Sequence, residues 1–435
     1  MHRVAFCAAC ILAFGASIHV MRPDNEILTL YNSDSAVPVL MANHEGPGWF
    51  DLYYWGQDRF GSLPFLAARA AGAVSGVRWT PDSLQVYMII WLSAGVIFFA
   101  HLFPGMRTTA ASIFAFGAVA VPHFRVHLFE IGQFFSWQLP VLFAAMLAIR
   151  ALCRPAPLSK QALRYTLAAF LSFLALWASP MNLVFLLAFA AIEAVQGHAS
   201  SVSFGNARGS RFASLPGIAA IFAIAAGAVG EQLMRWQYHR SALALYGNEY
   251  RTMSWINRRE IPGALESVID RLTSDPWMMA GDLAGIAAIG ACLVLCLVQW
   301  RRKEDAPPAL RTALALGAAG LLQIPILASV HHFTVSGYPA RFFFLTHAGL
   351  FAAAALLVLW LLFRFLGRHK MTGILMTGIP TGVFLTLGGI LFLPAHRTNP
   401  AFTEMKKAAC CLARTGRCTF THLSQTALGR FLRTG

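Results

Sequence analysis

The chain has 435 residues, of which 57% are hydrophobic and only 12% charged, and its mean hydropathy is +0.58. Soluble globular domains carry about a quarter charged residues, so this composition excludes an ordinary soluble domain and predicts a membrane protein. A net charge of +15 would suggest a nucleic-acid partner for a soluble protein. Here Lys and Arg lie in short segments between apolar runs, which is the pattern that orients membrane proteins, and no nucleic-acid partner is expected.

Apolar runs of the length needed to cross a bilayer recur along most of the chain. A helix needs about 20 apolar residues for one crossing, and on that criterion the sequence predicts an all-α polytopic membrane protein with roughly eleven transmembrane helices. The first run is interpreted as a retained helix and not as a cleaved signal peptide. The predicted spans are residues 4–21, 85–103, 109–124, 135–152, 165–180, 182–197, 215–236, 276–300, 309–330, 342–366 and 373–394.

The short connecting segments predict the orientation. Alternate segments are rich in basic residues, which places them and the N-terminus in the cytoplasm. These basic residues are Arg150, Arg154, Lys160, Arg164, Arg208, Arg211, Arg301, Arg302, Lys303, Arg311, Arg364, Arg368 and Lys370, whereas the opposite short segments contribute only Arg125 and Arg341. The odd span count places the short basic, Cys-containing tail, residues 395–435, outside, although its own basic residues favour the cytoplasm.

Two long segments are predicted to face the outside, residues 22–84 and residues 237–275, and they hold most of the acidic residues. The first is rich in Trp, Tyr and Phe, which predicts a packed element or an interfacial belt. Within it, the apolar stretch 63–77 is too short to span a bilayer, so it predicts an interfacial or re-entrant helix. The concentration of acids on one face places the chemistry there.

Asp34 is the first candidate site residue. It lies in the polar break "NSDS" after the first predicted span, where a carboxylate could deprotonate a hydroxyl arriving from water while a lipid-linked partner arrives from the bilayer. The alternative is that this polar cluster caps a helix.

The stretch "YYWGQDRFGSLP" is the second candidate. Its Asp58 and Arg59, together with the nearby Asp51, stand among aromatic residues, and carboxylates beside aromatic rings are typical of sugar sites. The alternative is a turn packed on the membrane surface.

The segment 123–140 places His127, Glu130 and Gln133 between two predicted spans. Ionisable groups at membrane depth are costly and are functional candidates by default. His127 and Glu130 are three residues apart and would share a helix face. Such a pair supplies two ligands for a divalent metal, which is a weak signal, and no other cofactor is indicated. The alternative is an interfacial helix with solvated polar residues.

The segment 329–350 contains His331, His332, Tyr338 and Arg341 at the outer ends of two predicted spans. An Arg at this depth is suited to hold a lipid phosphate by bidentate hydrogen bonds, or it snorkels to the interface. Farther upstream, Glu231 and Arg235 are four residues apart on one predicted helix, which favours a structural ion pair.

The order of these parts resembles the GT-C superfamily of integral-membrane glycosyltransferases, which includes mannosyl-, aminoarabinose and arabinofuranosyltransferases. The match consists of a first span, a long outer segment with an early acid in "YNSDS", an interfacial helix, a series of spans, and a late Arg in "GYPARFFF". The resemblance covers residues 1–394 as architecture and is specific to motifs only at Asp34, around Asp51 to Arg59, and at Arg341.

The resemblance implies an inverting enzyme that uses a polyprenyl-phosphate-linked sugar in the bacterial inner membrane. Asp34 would be the general base for the hydroxyl of a glycan, lipid or protein acceptor, and Arg341, with His331 or His332, would hold the leaving phosphate. The chain lacks the Asp-Glu pair of the mannosyltransferases and the large soluble domain of the oligosaccharyltransferases. Two alternatives stay open: a transporter or flippase of lipid-linked sugars, and a polysaccharide polymerase or ligase.

Overall fold

The computed structural model describes residues 33–44, 49–53, 61–120, 124, 128, 135–154, 156–203, 215–241, 258–273, 276–302, 304, 306–328 and 343–366. These residues form α-helices and two short 3₁₀ turns, and within them the sole β-type pairing is an isolated bridge between Tyr53 and Gly61. The predicted all-α class is therefore confirmed for this part of the chain.

Twelve α-helices account for most of the described residues. They are α1 Ser33–Asn43, α2 Leu63–Ser75, α3 Pro81–His101, α4 Arg107–Ala120, α5 Phe135–Leu152, α6 Leu158–Ala178, α7 Asn182–Ser203, α8 Leu215–Ser241, α9 Ile261–Thr273, α10 Pro276–Arg301, α11 Pro308–Ala328 and α12 Phe344–Leu366. The 3₁₀ turns are Trp49–Leu52 and Arg258–Glu260.

Six of these helices are long and apolar enough to cross a membrane: α3, α6, α8, α10, α11 and α12. This agrees with a multi-pass membrane protein. Three more predicted spans, 109–124, 135–152 and 182–197, fall on helices whose apolar portions are shorter. The predicted spans 4–21 and 373–394 lie outside the described residues, so the count of eleven stays a prediction.

The helices form one packed bundle with α5 and α7 near its middle. Helix α5 contacts α3, α6 and α7, while α7 also contacts α8 and α11, and α12 packs against both α10 and α11. The interior is filled by small and large apolar side chains, among them Leu142, Met146 and Ile149 of α5 and Phe189 of α7. Apolar surface gains little from leaving lipid, so close packing has to hold these helices together.

Glycine brings α11 and α12 into backbone contact. A Cβ placed on Gly349 would lie 2.5 Å from the carbonyl oxygen of Leu316, and one on Gly320 would lie 2.9 Å from the carbonyl oxygen of Thr346. Small residues at a crossing let helices approach closely enough for van der Waals packing to replace the missing hydrophobic effect. Alanine at either position would force the pair apart.

The helix predicted at 63–77 is present as α2, which ends at Ser75 because Gly76 adopts a left-handed conformation with φ of 70°. Helix α3 begins after Thr80, whose side chain and that of Ser83 each accept a backbone N–H of the other, and Pro81 occupies its first position. A capping pair plus a proline is a strong start signal. The interfacial placement of α2 stays a prediction.

Candidate functional site

The structure describes few of the predicted site residues. Nine of them lie outside the described part: Asp58, Arg59, His127, Glu130, Gln133, His331, His332, Tyr338 and Arg341. Their roles stay predictions. Asp34 is described in its backbone only, and Asp51 is described fully.

Asp34 lies in the first turn of α1, which begins at Ser33. A helix start within "NSDS" is what the capping alternative predicts. A carboxylate in a first turn is also stabilised by the helix dipole and the unpaired backbone N–H groups there. The two interpretations of Asp34 are compatible, because a carboxylate in the first turn of a helix can also face a substrate.

Asp51 is buried, with 1% of its surface exposed, and its carboxylate is paired. Arg69 donates from Nη1 to its Oδ2 at 3.0 Å, and His44 Nδ1 lies 3.2 Å from the same oxygen. The same Arg69 donates from Nε and Nη2 to the Met41 carbonyl. Asp51 and Arg69 therefore fasten α1, α2 and the 3₁₀ turn Trp49–Leu52 together. This pairing favours a structural role, and direct contact of Asp51 with a substrate stays a prediction.

The 3₁₀ turn Trp49–Leu52 is docked on the end of α6. The indole Nε1 of Trp177 donates to the Leu52 carbonyl at 2.7 Å, and the backbone N–H of Gly61 donates to the Trp177 carbonyl at 2.7 Å. Ser62 donates from its hydroxyl to the Asp51 carbonyl and from its backbone N–H to Leu52. The described residues 49–53 and 61–62 are thus packed against α6, and the packed element or interfacial belt predicted for the whole segment stays a prediction.

A second anchor joins this segment to α8. The Tyr53 hydroxyl donates to Glu231 Oε1 at 3.1 Å, and Arg235 donates from Nη2 to the same oxygen at 2.7 Å, which confirms the predicted Glu231–Arg235 pair. The Tyr238 ring lies 4.8 Å from the Tyr53 ring. Burial, followed by the Glu231 charge, raises the pKa of Tyr53 well above its ordinary value. Tyr53 therefore stays a hydrogen-bond donor at any physiological pH.

An apolar cavity lies inside the bundle and is open on one side. Every residue that lines it is apolar. Its aromatic lining comes from α3, α4, α5, α7 and α12 and from Phe124, which lies between α4 and α5 in the sequence: Phe99, Phe114, Phe124, Phe143, Phe185, Phe344 and Phe351.

The cavity extends from one end of the bundle toward its middle. Its lining on α12 runs from Phe344, the first residue of the helix, to Ala352, a length of about 12 Å at 1.5 Å per residue. Phe344 follows Arg341 by three residues, and Phe124 and Leu128 bracket His127 in the sequence. The end of the cavity is thus formed by residues adjoining the two segments in which polar site residues are predicted.

Two further ionic clusters lie within the bundle, and the sequence did not reveal their partners. His347 Nδ1 lies 2.8 Å from Asp282 Oδ2 between α12 and α10. At the other end, Arg150 donates to Glu193 Oε1 from Nε at 2.9 Å and from Nη2 at 2.7 Å, and Arg311 Nη1 lies 3.6 Å from Glu193 Oε2. The sequence showed only that these charged residues lie at similar depths on different predicted spans.

Metal ligands do not cluster in the part of the chain that the structure describes, since no three His, Cys, Asp or Glu side chains there are close enough to hold an ion. The predicted His127–Glu130 pair lies outside that part.

Comparisons with protein-family models, with curated proteins and with solved structures find no match to this chain.

Proposed function

We propose that this chain is a membrane glycosyltransferase of the GT-C kind. It moves a sugar from a polyprenyl-phosphate donor to a glycan, lipid or protein acceptor on the outer face of the bacterial cytoplasmic membrane. The observation that supports this proposal best is the apolar, aromatic-lined cavity, whose end is formed by residues adjoining Arg341 and His127. A long apolar substrate with a charged head needs an apolar cavity next to polar groups, and the residues at this end of the cavity adjoin both polar segments in the sequence.

In this proposal the shape of the cavity positions the substrate's isoprenoid chain. An isoprenoid chain is already solvated by lipid, so its transfer into the protein releases little hydrophobic free energy. A fitted aromatic channel instead fixes the chain in one position, and that positions the phosphate at the mouth of the cavity. Holding the reacting groups in place removes much of the entropic part of a reaction barrier.

The proposed reaction needs one base and one phosphate holder. Asp34 accepts the proton of the acceptor hydroxyl while that oxygen forms its bond to the anomeric carbon. The bond from the anomeric carbon to the phosphate oxygen breaks at the opposite face, with inversion. Arg341, with His331 or His332, stabilises the charge that develops on the departing polyprenyl phosphate. The paired Asp51 and Arg69 keep α1, and so Asp34, in place.

The test compares wild type with Asp34→Asn and Arg341→Ala in membranes that contain equal amounts of folded protein. Polyprenyl-phosphate sugars are supplied, and sugar added to endogenous glycan, lipid and protein is read by mass spectrometry. We expect a defined mass from wild type and loss of it in both variants. Asp270→Asn, which changes an exposed acid on α9, is the matched control and should retain activity. Equal transfer by Asp34→Asn would refute the base assignment.

The cavity is tested separately with a bulky substitution. Ala352 lines the cavity, whereas Ala226 lies on an exposed face of α8. We expect Ala352→Phe to reduce transfer strongly and Ala226→Phe to leave it unchanged, although both place a ring in a membrane helix. Equal activity of the two variants would remove the cavity from the proposal.

A transporter of lipid-linked sugars is the second candidate, and the Asp282–His347 pair favours it. Ionisable pairs buried between membrane helices often mark the path of a proton or ion. The same membranes, loaded with a labelled lipid-linked sugar on one face, measure its movement to the other. Movement without transfer in wild type, abolished by Asp282→Asn, would favour transport over glycosyl transfer.

A further inference from the structure

Helix α9 carries more apolar surface than the bundle covers. Its buried stripe consists of Ala264 and Val268, and Val268 packs in a small cluster with Leu327 of α11 and with Phe343. Next to this stripe, Ile261, Leu265 and Ile269 follow one another at intervals of four residues. Their exposed fractions are 42%, 41% and 57%, against 1% for Val268. Three large aliphatic side chains in a row are thus left uncovered.

The remaining face of α9 is polar. Glu266 and Asp270 are exposed and also four residues apart. At 100° per residue, the charged pair is centred about 120° from the uncovered aliphatic stripe, which itself adjoins the buried one. The helix therefore presents three consecutive faces: one against the bundle, one apolar and exposed, and one charged. An amphipathic helix lying at a membrane surface has this arrangement.

The chain places α9 beside a membrane-spanning helix. Helix α9 ends at Thr273, and α10, which is long and apolar enough to span, begins at Pro276. Leu283 and Ile286 on α10 are themselves exposed large aliphatic residues. The uncovered stripe of α9 thus lies close along the chain to an exposed apolar face of a helix that is long and apolar enough to span a membrane.

We propose that α9 is an interfacial helix whose stripe of Ile261, Leu265 and Ile269 is buried among lipid chains, at the membrane surface where α10 begins. Glu266 and Asp270 then face water, and the covering partner is the lipid leaflet itself. The inference is independent of the proposed enzymatic activity, because it depends only on the faces of α9 and its connection to α10.

Cysteine substitution tests the aliphatic face and the charged face of α9 separately. Trypsin cleavage after Arg259 and Arg271 releases the peptide 260–271, which contains no native cysteine, so mass spectrometry reads each new thiol separately. Leu265→Cys and Ile269→Cys are compared with Glu266→Cys and Asp270→Cys in membranes open on both sides. Because the hydrated thiolate attacks the maleimide, we expect the first pair to be labelled about tenfold more slowly than the second. Equal rates would overturn the proposal.

Slow labelling would also result if another protein covered the aliphatic stripe. A second measurement therefore identifies what contacts the stripe. Wild-type protein is reconstituted, one copy per nanodisc, with a phospholipid that carries a diazirine in its acyl chain. After illumination we expect lipid adducts within the peptide 260–271, at the three aliphatic positions, as on the exposed residues of α10. Adducts on α10 without adducts on α9 would refute lipid as the partner.

Discussion

His347 and Asp282 join α12 to α10 through an imidazole nitrogen that lies 2.9 Å and 2.8 Å from the two carboxylate oxygens. Both side chains are largely buried, and each lies near the first turns of its helix. Placing an imidazole against both oxygens of one carboxylate fixes the orientation of the ring. The pair therefore sets the register of two apolar helices that could otherwise slide past each other.

Breaking this pair should destabilise the bundle. Removal of one member leaves the other buried without its partner, and we expect Asp282→Asn and His347→Ala each to cost about 1–3 kcal/mol of unfolding free energy. The double variant should cost less than the sum of the two, as interacting residues do. Thermal unfolding in a fixed detergent measures all four proteins. Additive losses would show that the two side chains do not interact, and Asp270→Asn is the matched neutral control.

The Arg150–Glu193 pair predicts a larger effect at the opposite end of the bundle. Glu193 is the shared carboxylate partner of Arg150 and Arg311, and Arg150 also donates to the Thr312 hydroxyl. Glu193→Gln would leave two buried guanidinium groups without a counter-charge, so we expect a loss of about 3–5 kcal/mol or failure to accumulate. Glu304→Gln changes an exposed acid and should have no effect. Normal yield and stability of the Glu193 variant would contradict the prediction.

Gly61 allows no side chain. A Cβ at this position would lie 2.5 Å from both the carbonyl oxygen and the Cδ1 atom of Trp177. Gly61→Ala should therefore weaken the docking of residues 49–53 and 61–62 on α6 and speed amide exchange in α2, seen by hydrogen–deuterium exchange. The control is Gly263→Ala, where a Cβ would meet nothing within 4 Å. Unchanged exchange in the Gly61 variant would show that the loop does not depend on this contact.

Cys153 should be inert in the folded protein. Burial, followed by the nearby Glu193 charge, raises the pKa of Cys153 to about 12, so at pH 7–8 the thiol is neutral and covered. The neutral thiol is the unreactive form. Because the chain has eight cysteines, the protein is treated with N-ethylmaleimide, digested, and read by peptide mass spectrometry, which should find Cys153 unmodified before denaturation and modified afterwards. Modification of Cys153 in native protein at pH 7.5 would show that this end of α5 opens readily.

Periodicity and hydropathy predicted many helix positions closely. The predicted span 135–152 coincides with α5, 276–300 differs from α10 by a single residue, and 63–77 agrees with α2 except for its last turn. The Glu231–Arg235 pair could also be predicted from the sequence, because residues four apart on a helix must be neighbours.

Contacts between segments distant in the sequence could not be predicted in this way. Hydropathy gives the depth of a charge along its helix but does not say which helices are neighbours. Asp282 and His347 are 65 positions apart, and Arg150 and Glu193 are 43 apart. The cavity is likewise formed by several helices together, so no sequence pattern within a single helix predicts it.

The docking of residues 49–53 also has a consequence for biosynthesis. Tyr53 reaches its partner Glu231 across 178 positions of sequence, and Leu52 reaches Trp177 across 125. At roughly 5–20 residues per second, the ribosome needs on the order of 10–35 s between making Tyr53 and making Glu231. During that interval the Tyr53 hydroxyl lacks its acceptor Glu231, and until Trp177 is made the Leu52 carbonyl lacks its indole donor. Residues 49–53 can therefore reach their final position only after α8 has been made.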